Sequence, residues 1–458
     1  MIFEDKIKFG EGLGYDGQTY GRLVKEFPRN ILQGSIDTYY CQRMLPVALA
    51  KVTLVLLGKT SALNSNIILI FQTFNFLAIM FSIYLWYAIS NACGYCKENA
   101  WLGYFALFYS FALYKMPLYY PVLTDVFAFT LSLLMLYSYI LENPLILFIA
   151  IILSAFTWPT MIFFGGTLFI FADKRHSWFP EIKDQKKQYF FTIGCSCMVV
   201  VITILWALYA VYEDKALTMF AEVPIYKKAL PFSITFVCIY MFFASLGLIK
   251  AINITNIRVP FSVLIKNIRF SHLIVWSLFF ITTRLILRLL APYGPPPLIA
   301  RIMGMALKYP GVYTISQFVY FGPVILLVYL LWHRIAPRIT DFGFGFWAFA
   351  MLLLPLSLFS EGRLIINGIP FIVIMLLNGY DFSNNKKLLY FCIFLTILCS
   401  RFWINLNTYH TEHYFASSGP WLQPRYYLIQ ATITGVAAGI MFILLFQEKY
   451  WMKAKVKN

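Results

Sequence analysis

LILFIAIILSAFTWPTMIFFGGTLFIFA, residues Leu145–Ala172, carries no charged side chain. One helix crosses the bilayer hydrocarbon with about 20 apolar residues, so this stretch is too long for one relaxed crossing. Its middle is Thr157-Trp158-Pro159-Thr160. Proline lacks the N–H that the helical ladder needs, and its ring clashes with the preceding turn. The stretch therefore reads as two short helices meeting at a turn around Pro159. The choice decides the topology, because a single crossing here would move everything before Leu145 to the other side of the membrane.

The rest of the chain is of the same kind. Of its 458 residues, 60% are hydrophobic and only 12% are charged, whereas a soluble domain carries about 25% charged residues. Only helices and closed barrels satisfy their backbone in lipid, and barrel strands alternate apolar with polar residues. The apolar runs here are continuous, so the expected fold is an all-α polytopic membrane protein. Further apolar segments are Ile67–Ser90, Trp101–Tyr119, Val122–Leu141, Tyr189–Tyr212, Ala229–Ile249, His272–Leu290, Val312–Leu331, Phe344–Phe359, Leu364–Leu377, Leu388–Ser400 and Tyr427–Gln447. With the broken pair they make about 13 membrane segments. Met44–Leu57 is apolar but short and contains Lys51, which suits a helix lying along the interface. Pro46 fits near the start of such a helix.

Basic residues favour the cytoplasmic side. The C-terminal Lys449, Lys453, Lys455 and Lys457 are therefore expected inside. Counting back places four more basic groups inside: Lys386 with Lys387, Arg334 with Arg338, Lys250 through Arg269, and Lys174 through Lys187. The same count puts residues 1–65 outside, with no exporting segment ahead of them, and so predicts a span upstream of Met1. Three regions follow. Residues 1–65 form an extracytoplasmic acidic loop with its interfacial helix, 66–212 a first transmembrane module, and 213–458 a variable C-terminal transmembrane module. The net charge of +17 is expected to meet anionic head groups or a phosphorylated lipid rather than nucleic acid. Among the eight cysteines, Cys93 and Cys96 form a lone Cys-x-x-Cys without the second pair of a zinc site.

This topology gathers the unusual polar residues at the outer face. Asp16 lies in Gly14-Tyr15-Asp16-Gly17-Gln18, and Asp125 at the outer start of a span after Tyr119-Tyr120-Pro121. Arg284 and Arg288 are four apart on one helix face. Arg301 follows Pro295-Pro296-Pro297; Glu361 and Arg363 lie in Ser360-Glu361-Gly362-Arg363; His410, Glu412, His413 and Arg425 lie in the last outer loop. Each also has a plainer reading. Asp-Gly is a turn signal, Asp125 fits a helix cap, Arg288 is close enough to the interface to snorkel, and Glu361 with Arg363 fits a local ion pair. His410 and His413, three apart, are a weak candidate pair for a metal, with a solvated loop as the plainer reading.

Chemistry on a polyprenyl-phosphate sugar would use such a face. Arginines bind and stabilise a leaving phosphate, and a carboxylate takes the proton of an acceptor hydroxyl. Gly14–Tyr20 (Gly-Tyr-Asp-Gly-Gln-Thr-Tyr), followed by Tyr40-Cys41-Gln42-Arg43-Met44-Leu45-Pro46, resembles bacterial members of the GT-C superfamily of membrane glycosyltransferases. The resemblance covers the first third of the chain and implies a GT-C-like fold with interfacial helices in the first outer loop. It implies a multi-pass enzyme of the inner (plasma) membrane, with an extracytoplasmic active site. The enzyme would move a sugar from a polyprenyl-phosphate donor to a glycan, lipid or protein acceptor. Asp16 and Asp125 match the family's acidic positions by order, as general base or as ligands of a divalent metal (Mg or Mn). Arg363 or Arg284 matches its outer arginine, and Arg43, Arg288 and Glu361 complete the expected substrate-binding set. Two other functions stay open: a transporter or flippase of lipid-linked sugars, and a polysaccharide polymerase or ligase.

Overall fold

The computed structural model describes residues 6–34, 36–59, 63–180, 184–212, 229–253, 258–291, 298–404, 406 and 419–457. Among these residues the chain is helical throughout, with one isolated β-bridge between Phe171 and Ile268. Four helices precede the first long one: α1 (Tyr15–Glu26), α2 (Arg29–Leu32), α3 (Thr38–Cys41) and α4 (Met44–Leu56). Next come α5 (Asn64–Ala92), α6 (Lys97–Phe108), α7 (Phe111–Tyr114), α8 (Met116–Tyr119) and α9 (Asp125–Ile140). The opening stretch forms α10 (Pro144–Ala155) and α11 (Met161–Ile170), two helices joined through a turn at Pro159. Then follow α12 (Gln185–Tyr212), α13 (Leu230–Ala251), α14 (Arg258–Asn267), α15 (Phe270–Leu290) and α16 (Leu298–Ala306). The chain ends with α17 (Val312–Phe321), α18 (Val324–Ile335), α19 (Phe344–Leu356), α20 (Ile369–Gly379), α21 (Lys386–Cys399) and α22 (Pro424–Lys457).

Six described segments are long and apolar enough to cross a membrane: α5, α12, α13, α15, the Gly362–Gly379 segment ending in α20, and the Pro424–Gln447 part of α22. They define a multi-pass membrane architecture. Their burial sorts them. The Gly362–Gly379 segment is 78% buried and sits at the centre, while α15 at 11% and α22 at 17% lie at the periphery. Shorter apolar helices, α9, α10, α11 and α19 among them, fill the interior. Exposed Leu278, Ile281 and Leu285 on α15, with Leu428, Ile433 and Val436 on α22, form the apolar outer band that lipid requires.

Two expected spans are broken. Val312–Leu331 is not one helix: α17 and the segment Val324–Phe342 meet at 115°. The break is at Gly322-Pro323, where Gly322 has φ +80°, a left-handed conformation that glycine adopts without steric cost, and Pro323 cannot continue the ladder. Trp101–Tyr119 divides into α6, α7 and α8 around Ser110 and Pro117. A short helix, α4, forms over the Met44–Leu57 stretch. Val47, Ala50 and Leu54 are buried, whereas Val52, Val55 and Leu56 are exposed, so one face packs on α1 and the other is apolar and uncovered.

The end of the bundle opposite Asp16 is tied by Asp173, just past α11. Its buried carboxylate accepts hydrogen bonds from Arg269 Nη2 and from His176 Nδ1 at 2.8 Å. Removing one partner of a buried pair costs about 3–5 kcal/mol. Asp173→Ala is therefore expected to lower the thermal unfolding midpoint of the detergent-solubilised protein by several degrees, and Asp173→Asn by less. An unchanged midpoint in Asp173→Ala would show that the triad contributes nothing.

Candidate functional site

Asp16 does not shape a turn; it occupies the first turn of α1. Gly14 precedes that helix at φ +76°, and a Cβ there would meet the Tyr120 ring at 2.3 Å. This close approach brings α1 onto the segment before α9, where Gly17 N donates to Tyr120 Oη at 3.2 Å. The first helical turn therefore lies beside the start of α9, which carries Asp125.

Arg363 closes the cluster from the other end of the chain. It begins the central Gly362–Gly379 segment. Its Nη2 donates to Asp16 Oδ2 at 2.7 Å and its Nε to Glu361 Oε1 at 2.5 Å. Arg301 on α16 approaches Glu361 Oε2 at 3.9 Å. Tyr40 Oη donates to Asp16 Oδ1 at 3.5 Å. The guanidinium of Arg43 lies between the rings of Tyr39 at 4.1 Å and Trp158 at 4.0 Å, and donates to Tyr20 Oη at 3.3 Å. Trp158 comes from the turn between α10 and α11. Thr160, two residues on, accepts a hydrogen bond from Asn367 Nδ2 at 3.0 Å, so the Pro159 break is fastened to the segment that carries Arg363.

Burial works to raise the Asp16 carboxyl, but the Arg363 guanidinium, with smaller help from Arg43 and Tyr40, holds it below the usual carboxylate range. Burial first, and the Asp16 charge second, keep the Tyr40 phenol protonated and able to donate. A carboxylate depressed on folding adds stability that is complete above its unfolded pKa and is lost as pH falls through the folded one. Thermal midpoints of wild type and Asp16→Asn should therefore differ by a constant amount above about pH 5 and converge below about pH 4, near the value of an unfolded aspartate. A difference that persisted at acid pH would mean that charge is not what Asp16 contributes.

Asp125 is buried, and neither carboxylate oxygen has a hydrogen-bond partner among the described residues. It stands at the first turn of α9, within the fields of Arg363 and Arg43. Arg284 and Arg288 do not join the cluster. On α15 the buried residues are Thr283 and Leu287; each arginine is one residue further on, rotated by about 100°, and is exposed. Arg284 lies near the rings of Phe280 at 5.3 Å and Phe163 at 5.9 Å. His410 and His413 lie outside the described residues. Among the described residues no group of three or more His, Cys, Asp or Glu side chains gathers where it could hold a metal ion. Asp16 also gives both oxygens to Arg363 and Tyr40, so a divalent cation there would compete with a guanidinium.

Sequence reasoning placed Arg301 at the outer face without giving it a role, and did not select Tyr40 or Trp158 as site residues. Tyr40 stands in the Tyr40–Pro46 motif and Trp158 beside Pro159, so the signal was a position next to a noted feature, not a residue type. Lys308, between α16 and α17, is also new. Its buried ammonium has no hydrogen-bond partner among the described residues, and burial pushes it down to about 8.

A groove of about 810 Å³ is lined by none of the cluster's side chains. It runs along α13 from Phe236 to Lys250, between α17, α18 and Thr434 of α22. Its wall residue Gln317 donates to the carbonyls of Ser357 at 2.5 Å and Phe359 at 3.0 Å, immediately before Ser360-Glu361. Fold and site together define a multi-pass helical membrane protein with a buried acid and guanidinium cluster and a separate, largely apolar groove. No protein-family model matches the chain, and neither a curated protein nor a solved structure matches it.

Proposed function

We propose that the protein is a membrane glycosyltransferase that moves a sugar from a polyprenyl-phosphate donor to an acceptor hydroxyl. The observation that carries the reading is the chain of contacts from Tyr40 through Asp16 and Arg363 to Glu361, drawn from the two ends of the sequence. The isoprenoid tail lies in the groove beside α13. The phosphate docks on Arg363 and Arg301, whose side chains are 17% and 28% exposed, rather than on Arg43, which is fully enclosed. Both guanidiniums meet phosphate with charge-assisted hydrogen bonds and stabilise the charge that develops as it leaves. Asp16, kept ionised by Arg363, takes the acceptor proton. Asp125, buried at the start of α9 near Arg363 and Arg43, supplies a second carboxyl group to the site. The resemblance to GT-C enzymes agrees with this assignment and with a site on the extracytoplasmic side of the plasma membrane.

The test is transfer from a radiolabelled polyprenyl-phosphate sugar in proteoliposomes, with and without Mg or Mn. Release of labelled sugar to acceptor or water is the expected result, and no turnover with any hexosyl or pentosyl donor would overturn it. One observation favours a second reading. The groove reaches Lys250, His333 and Pro337 at the far end of the bundle, as a flippase of lipid-linked sugars would require. Movement of labelled donor between leaflets without sugar transfer would select that reading.

A further inference from the structure

A second cavity, of about 280 Å³, lies beside the cluster and is not part of it. Thr19, Arg22, Glu26, Asn30, Asp37 and Tyr40 line it, with Leu23 and Ile36 as its apolar wall. On α1 the residues Asp16, Thr19, Leu23 and Glu26 are spaced by three and four. They fall on one face of the helix. The cavity thus begins one turn, about 4.5 Å along the axis, past Asp16. Tyr40 is the shared wall. It donates a hydrogen bond to Asp16 Oδ1.

The geometry points to this cavity as the subsite for the acceptor, holding one neutral, polyhydroxylated sugar ring with its nucleophilic hydroxyl turned toward Asp16. The lining is suited to that ligand. Hydroxyl, carboxylate, amide and guanidinium groups supply donors and acceptors around the rim, as a ring of hydroxyls requires. Leu23 and Ile36 offer an apolar surface to the C–H face. The cavity has room for one ring and no long chain. Glu26 and Asp37 outnumber Arg22, so an anionic sugar is disfavoured. The inference rests on the transferase reading above. In the step, the acceptor hydroxyl oxygen bonds to the anomeric carbon of the donor. The bond from that carbon to the phosphate oxygen breaks, its electron pair stays on the phosphate, and the hydroxyl proton passes to Asp16.

Two measurements separate this inference from the transferase reading. The first is direct binding of methyl α-glucopyranoside, methyl α-galactopyranoside and methyl α-mannopyranoside to the full chain in nanodiscs, by saturation-transfer NMR. At least one should bind and methyl glucuronide should not. Thr19→Phe, which fills the cavity, should abolish the signal. Glu26→Gln, at an exposed position with little bearing on folding, should weaken binding about tenfold, the worth of one hydrogen bond to a charged group. Binding by none of the three, or binding unchanged in Glu26→Gln and in a folded Thr19→Phe, overturns the subsite. The second is turnover of the polyprenyl-phosphate sugar. Both variants should raise the KM for a bound glycoside acceptor while leaving the donor KM and donor hydrolysis by water at wild-type values. A matching rise in the donor KM would overturn the subsite. Absent turnover alongside glycoside binding that Thr19→Phe removes would overturn the transferase reading and leave a sugar-binding pocket.

Discussion

Arg363→Ala is expected to be the most damaging single substitution in the molecule. The guanidinium stands between Asp16 and Glu361, and both carboxylates lose their bridging partner when it goes. Breaking a buried ion pair from one side costs about 3–5 kcal/mol, so the unfolding midpoint should fall markedly. Sugar transfer should fall by about 10²–10³-fold, the usual cost of removing one group that stabilises a developing anion. The loss should appear in the use of donor more than of acceptor, because the phosphate belongs to the donor. Arg363→Lys is the informative companion. It keeps the positive charge but loses the fork that engages two carboxylates at once, so it should recover much of the stability and less of the activity. Equal losses toward donor and acceptor, with stability and activity restored together by lysine, would make Arg363 a structural tie.

Asp16→Asn separates chemistry from architecture. The amide has the carboxylate's shape, its single oxygen accepts from Arg363 while its NH2 faces the Tyr40 hydroxyl oxygen as a donor, and Glu361 remains as the counter-charge to Arg363. Stability should therefore change much less than in Arg363→Ala. The amide cannot take a proton from an acceptor hydroxyl, so turnover should fall by about 10²–10⁴-fold, the range general-base catalysis contributes. Donor binding should persist. Turnover at the wild-type rate in a correctly folded Asp16→Asn protein would end the assignment of Asp16 as the base.

Much of the architecture could be read from the sequence because hydrocarbon imposes simple rules. The proline at 159 in an uncharged run gave the α10 and α11 pair, and the lysine inside Met44–Leu57 marked a helix too short to span. Other parts were not legible. The 115° break at Gly322-Pro323 lay inside an apolar run whose hydropathy hardly dips there. Arg284 and Arg288 drew notice as charges inside an apolar helix. Which way they face depends on a rotation of one residue, and the composition of α15 does not fix it. Trp158 was invisible as a partner of Arg43 because a ring contact across more than a hundred residues has no local signature. The meeting of Asp16 with Arg363 depends on both lying at the same end of the bundle, which the span count supplied; their distance and the bridge to Glu361 required coordinates.

The ion pair between Asp16 and Arg363 joins residues 347 positions apart, and this constrains biogenesis. At a ribosomal rate of about 5–20 residues per second, the aspartate waits roughly 20–70 s before its arginine has been made. During that interval its carboxylate must stay hydrated or be held by Arg43, which is synthesised within seconds. A nascent chain that stops before the arginine carries a site that cannot close, so translation of the last third acts as a checkpoint for the whole assembly.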